Sequence, residues 1–197
     1  MEAIENQEAK IIYWVLEKCD TVALRYFYGI GDGEGEMLVA IDRKERASKL
    51  CGVFEKLGER LDVRSFEKRL IVQKRVYMLQ LHPEFHPYLG YHYSLFIHGP
   101  YSPDLADIYY HIPKDVKPAE IDVSREALEY GREVMRMDRA TLEIASTIIE
   151  VIRVNRGISD ERIVEHVHML KPSYKSAEIW DILLMVKNLK RKYNLVF

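Results

Sequence analysis

Seven histidines stand in this 197-residue chain, five of them between His82 and His111, and imidazole is the commonest side chain to carry metal or proton chemistry. A zinc centre needs three or four nitrogen or sulfur ligands that converge, usually at recognisable spacing. His82 and His86 stand at i, i+4, but Pro83 denies them a regular helix. His92, His98, His111 and the pair His166 and His168 add no HExxH and no Cys pair, so the sequence favours ordinary loop and strand histidines and no metal site. His98 stands out only because it precedes the turn-forming Gly99-Pro100. A hydrolase would need a nucleophile, a base and oxyanion donors. Ser94 and Ser102 lie near His92, His98, Asp104 and Asp107, yet no G-x-S-x-G elbow is present. No catalytic residue is therefore assigned, and a hydrolase or metalloenzyme is the weakest functional class.

The glycine run from Gly29 to Gly35 lacks the Gly-Lys-Ser/Thr of a phosphate loop, and position 34 is Glu where a dinucleotide fingerprint needs Gly. Asp32, Glu34 and Glu36 would repel phosphate, so no nucleotide and no other cofactor is expected. Cys19 and Cys51 form no CxxC pair and read as two thiols.

These residues are carried by elements that the pattern sets out in order. Glu2 to Lys18 reads as an amphipathic helix, and Thr21 to Tyr28 as a strand returning through the glycine run to a second strand over Met37 to Ile41. Arg43 to Glu59 is a basic helix. Ser65 caps a helix over residues 66–81 that is apolar enough to be largely buried and that His82-Pro83 ends. Tyr91 to Ile97 has the aromatic and branched residues of a strand, and Gly99-Pro100 breaks it. Ser102-Pro103-Asp104 opens the next helix with a cap, an N1 proline and a first-turn acid. Ile121 to Val123 suits a short strand. Helices over residues 125–137 and 139–155 follow, the second closed by Gly157. Ser159 caps 160–170, and Ser176 caps 177–193, giving a helix–turn–helix over 159–193 with a longer turn than usual.

Within this order, V-Q-K-R-V-Y-M-L (Val72 to Leu79) followed by F-I-H-G-P-Y-S-P-D-L-A-D (Phe96 to Asp107) resembles the YwgA-like group of uncharacterised bacterial and archaeal proteins. More distantly it is similar to the Panacea family of phage-associated, SocA-like antitoxins. Leu170-Lys171-Pro172 is a weaker echo. The resemblance covers residues 66–112 and implies a mostly helical, winged-helix-like module without an established enzymatic activity, the Panacea group being linked to toxin neutralisation through protein contacts. The motif residues that it marks as partner-binding are Gln73, Lys74, Tyr77, Gly99, Pro100, Tyr101 and Ser102.

The net charge of −2 hides a segmental pattern: residues 43–76 carry eleven Lys or Arg against five Asp or Glu, and 77–138 carry five against ten. Arg43, Lys44, Arg46 and Lys49, with Lys187, Lys190, Arg191 and Lys192 at the end of the last helix, could bind nucleic acid, and a winged-helix regulator bound to double-stranded DNA is the alternative function. Tyr91, Tyr93, Tyr101, Tyr109 and Tyr110 form an aromatic group suited to packing, to an interface or to base stacking. No apolar run reaches the ~20 residues a membrane span needs, and no signal peptide precedes the first acidic helix, so the cytoplasm is expected. Gln and Asn together number seven, which accords with a thermophilic source.

The expected fold is α+β and mostly α. An N-terminal helix and β-hairpin over 1–42 precede a winged-helix-like helical core over 43–197, in what reads as one compact unit. The expected function is a non-enzymatic regulatory module working through protein–protein contacts, with an unknown protein as partner and a homodimer as one open arrangement.

Overall fold

The computed structural model of the protein describes residues 33–96 and 99–197, with side chains from residue 42 onward. The chain divides into two units, 1–41 and 42–197, and every side-chain contact below lies in the second. The expected helix over 2–18, the strand over 21–28, Cys19 and His98 lie outside the described residues.

Helix α1 spans Gly33–Lys56. Met37 to Ile41, expected as a returning strand, is therefore helical. A short apolar run fits either period, and here Glu34 and Glu36 sit where the positive end of a helix dipole favours acids. Helix α2 (Phe66–Leu79) starts at Ser65, whose hydroxyl accepts the Lys68 N–H at 3.3 Å. The short α3 (His86–Leu89) ends at Gly90, which takes the left-handed conformation with φ 48°.

Strand β1 is only Ser94–Phe96, shorter than the expected 91–97. Gly99–Tyr101, expected to break the strand, forms β2 instead, antiparallel to β1 with Ser94 opposite Tyr101 and Phe96 opposite Gly99. A two-residue connection and a glycine at φ 84° let the chain reverse there. Helix α4 (Pro103–Tyr110) follows at once, with Ser102 accepting the Leu105 N–H at 3.2 Å.

The expected strand over 121–123 is absent. Asp122 instead exchanges hydrogen bonds with the Tyr88 hydroxyl, and just before it the connection meets α1, where the Ala119 N–H donates to the Ser48 carbonyl at 2.9 Å. Gly52 makes the approach possible, because a Cβ there would stand 2.2 Å from the Ala119 carbonyl oxygen. Helices α5 (Arg125–Arg136) and α6 (Arg139–Val154) begin at Ser124 and Asp138, whose side chains accept the Ala127 and Thr141 N–H groups.

Helix α7 (Asp160–Leu170) is capped by Ser159, and α8 (Ser176–Tyr193) by the extended Lys175 rather than by Ser176, with Glu178 accepting the Lys175 N–H at 2.9 Å. α6 is the axis of the fold. All residues from Leu142 to Val151 are buried, and α2, α7, α8 and β2 pack around it. The result is mostly helical with a small antiparallel hairpin. No described helix is long and apolar enough to cross a membrane.

Candidate functional site

The hairpin meets the rest of the molecule through polar side chains of α2. In an antiparallel pair, residues alternate between those that bond their partner and those whose N–H and C=O point outward. Pro100 has no N–H to give, so Leu95 and Pro100 form the pair that does not bond across the ladder. The outward groups of Pro100 and of Ser102, two residues on, are both taken by α2. The Lys74 amine donates to the Pro100 carbonyl at 2.6 Å. The Gln73 carboxamide accepts the Ser102 N–H and donates to the Ser102 carbonyl, each at 2.9 Å. Two adjacent side chains thus stand in for a neighbouring strand and close the β2 edge. Tyr93 secures the entry to β1, donating to the Gln73 carbonyl at 3.0 Å and meeting the Tyr77 ring edge-on at 5.0 Å.

Beneath the hairpin lies a polar stripe on α6. Glu143, Thr147 and Glu150 are separated by four and three residues and so share one face. Glu150 accepts the Tyr77 hydroxyl and pairs with Arg153 at 3.2 Å. Burial and the Glu150 carboxylate hold the Tyr77 phenol protonated well beyond its usual range. Glu143 pairs with the buried Lys171 at 2.6 Å and accepts the Tyr174 hydroxyl at 3.3 Å. Burial would raise the Glu143 pKa, but those two donors win and hold it below the usual carboxylate range. Lys74 is 2% exposed. Burial, reinforced by the Lys171 charge and only partly offset by Glu143, brings its pKa down to about 7. Gly99 completes the contact, since a Cβ there would stand 3.1 Å from the Thr147 hydroxyl and 3.2 Å from the Lys74 amine.

The motif residues Gln73, Lys74, Tyr77, Gly99, Pro100 and Ser102 are thus brought together and buried, and Tyr101 alone of the seven is half-exposed. Gln73 and Lys74 hold the hairpin through their hydrogen bonds to Ser102 and Pro100. Glu143, Thr147 and Glu150 carry no mark in the motif, and Lys171 stands only in its weaker echo. The signal was present as polar residues recurring every three to four places on an otherwise apolar helix.

The eight basic residues marked for nucleic acid are not assembled as a bare cationic surface. Arg43 forms a two-point pair with Asp107 (2.6 and 2.9 Å), Lys44 meets Asp115 at 3.0 Å and Lys49 meets Glu45 at 2.6 Å. The Arg46 guanidinium lies 4.6 Å over the Tyr91 ring. Lys187 pairs with Asp160, and Lys192 with Glu133 at 2.7 Å. Lys190 donates to the Phe197 carbonyl and Arg191 to the Asn188 side chain, both at 2.6 Å.

Among the described residues no three His, Cys, Asp or Glu side chains converge as a metal would require. His82 is buried, stacked 5.5 Å from Tyr130, and accepts the Glu84 N–H at 3.2 Å; burial lowers its pKa. His92 and His111 lie beside Asp104 and Asp107 at 3.5 and 3.1 Å on the surface. An open groove of about 610 Å³ runs along α8, and Glu133, Asp181, Arg191 and Lys192 line it with mixed charge.

What the hairpin presents outward is apolar. Ser94, Leu95 and Phe96 are all exposed, the last two by 40% and 39%. Phe96 meets the Tyr101 ring edge-on at 5.3 Å. Tyr109 leans on Tyr110 at 4.9 Å, and Tyr110 is 62% exposed beneath the Arg69 guanidinium. Of the five expected aromatics, Tyr91 and Tyr109 are buried in packing, Tyr93 is partly so, and Tyr101 and Tyr110 open outward. Compared with known proteins, the chain matches no family model, no curated protein and no solved structure.

Proposed function

We propose that the protein is a non-enzymatic regulatory module that binds another protein through its hairpin and the adjoining aromatic residues, in the manner that the resemblance to SocA-like antitoxins implies. The observation that carries this is the run of three exposed residues in β1, with Leu95 and Phe96 facing solvent while the polar residues of the motif turn inward to hold them. Exposed aromatic and aliphatic groups on a fixed support are the usual anchors of protein interfaces. The core is read as winged-helix-like with β1 and β2 as its wing, and the compartment as cytoplasmic. A DNA-bound regulator is the weaker alternative, because each marked basic residue already has an intramolecular partner and five of the eight sit on carboxylates. The test is affinity capture from source lysate with the native chain and a Leu95→Ser/Phe96→Ser/Tyr110→Ser variant in parallel. A discrete protein retained by the first and lost by the second is expected; identical retained sets contradict the reading.

A further inference from the structure

The two edges of the hairpin are treated differently. On the β2 edge the outward groups of Pro100 and Ser102 are closed by Lys74 and Gln73. On the β1 edge the same alternation turns the N–H and C=O of Leu95 away from β2, and among the described residues nothing bonds to them. Ser94, Leu95 and Phe96 are exposed along that edge. A row of unpaired backbone groups is a template for another extended chain, and natural proteins usually blunt it with lysine, proline or a covering segment. This one carries Leu and Phe there instead.

We propose that β1 is a strand-addition site: an extended apolar segment of a partner protein lies against it as a third strand, exchanging two hydrogen bonds with the main chain of Leu95. The proposal rests on the protein-binding reading above and specifies its mode. The chemistry that recognises the occupant is backbone pairing, so the segment must be extended, and its residue opposite Leu95 is apolar, β-branched or aromatic. A short segment suits this edge better than a second globular copy. Three residues of strand span about 10 Å, and the two apolar side chains on it, 40% and 39% exposed, are a small part of the roughly 1,200–2,000 Å² that a stable dimer buries. The fixed β2 edge gives the addition its direction, because Gln73 and Lys74 leave β1 as the side on which the sheet can grow.

The experiment selects binders from a displayed library of random linear peptides, and the tightest peptide is then titrated into the full-length isotope-labelled protein. Exchange of the Leu95 amide is expected to slow at least tenfold in the complex. Leu95→Pro, which deletes the N–H yet is tolerated on an edge strand, is expected to weaken binding tenfold or more. Phe96→Ser should weaken it through lost side-chain contact. If the peptide binds with Leu95 exchange unchanged, strand addition is overturned; a loss of binding in Phe96→Ser would then still support the protein-contact reading. Failure to recover any peptide, with no effect of either variant on partner capture, would overturn both. Protection of the Leu95 amide that grows with protein concentration alone would assign the edge to a second copy and overturn the choice of occupant.

Discussion

Lys74 concentrates the energetic tension of the site in one amine. Its pKa lies near 7 in the folded chain against an ordinary value of 10.5, with burial as the main cause. Folding therefore favours the neutral amine. Its contribution is complete above the unfolded pKa and is lost as pH falls toward 7, after which both states are protonated and the dependence ends. Between pH 7 and 9 the native chain should gain stability over Lys74→Met by about 2–3 kcal/mol, following the ~1.4 kcal/mol per unit of pH that one proton carries. The window stops short of the range where the buried tyrosines begin to titrate. Urea titrations at both pH values check this, and parallel changes in the two proteins would refute it. At Gln73 the loss is of a different kind. Gln73→Leu strands the Ser102 N–H and C=O in the interior, and about 2–4 kcal/mol of stability should go with them. Glu143→Leu removes the carboxylate that accepts from Lys171 and Tyr174 and should cost about 1.5–3 kcal/mol, read from the same unfolding curves.

At the scale of the element, hairpin and support are fitted through Gly99. Its φ of 84° disfavours any other residue, and a Cβ would crowd Thr147 and Lys74. Gly99→Ala should loosen the hairpin before it melts the helices, seen as faster amide exchange in β1 and β2 with little change in helical circular dichroism. Thr147→Ala should relieve part of the crowding but none of the φ strain. Elements marked by local chemistry were legible in the sequence. Ser65, Ser102, Ser124 and Ser159 each cap the helix they precede, because a cap needs only a hydroxyl and the next three residues. The start of α1 was not, since an apolar run of five residues fits strand and helix alike. Gly99-Pro100 read as a break because Pro cannot donate, yet its carbonyl edge is what Lys74 binds. The motif identified the residues of the site but not their inward direction. Glu143 and Lys171 stand 28 positions apart, and only packing brings them together.

For the whole molecule, the balance of charge is local. The basic stretch over 43–76 and the acidic stretch that follows meet in pairs such as Arg43 with Asp107 and Lys44 with Asp115. Random-sequence duplex DNA titrated by fluorescence anisotropy should accordingly show weak binding, with a log–log salt slope far below the several units that multiple phosphate contacts produce. A steep slope would promote the regulator reading. The central claim is that the exposed hairpin meets another protein, and photo-crosslinking tests it most directly. A benzoylphenylalanine placed at Phe96, and in a control at the more exposed Val154, would be irradiated in the source cells. The account predicts a discrete crosslinked protein from position 96 that position 154 does not capture. No crosslink from 96, or the same products from both positions, would contradict it.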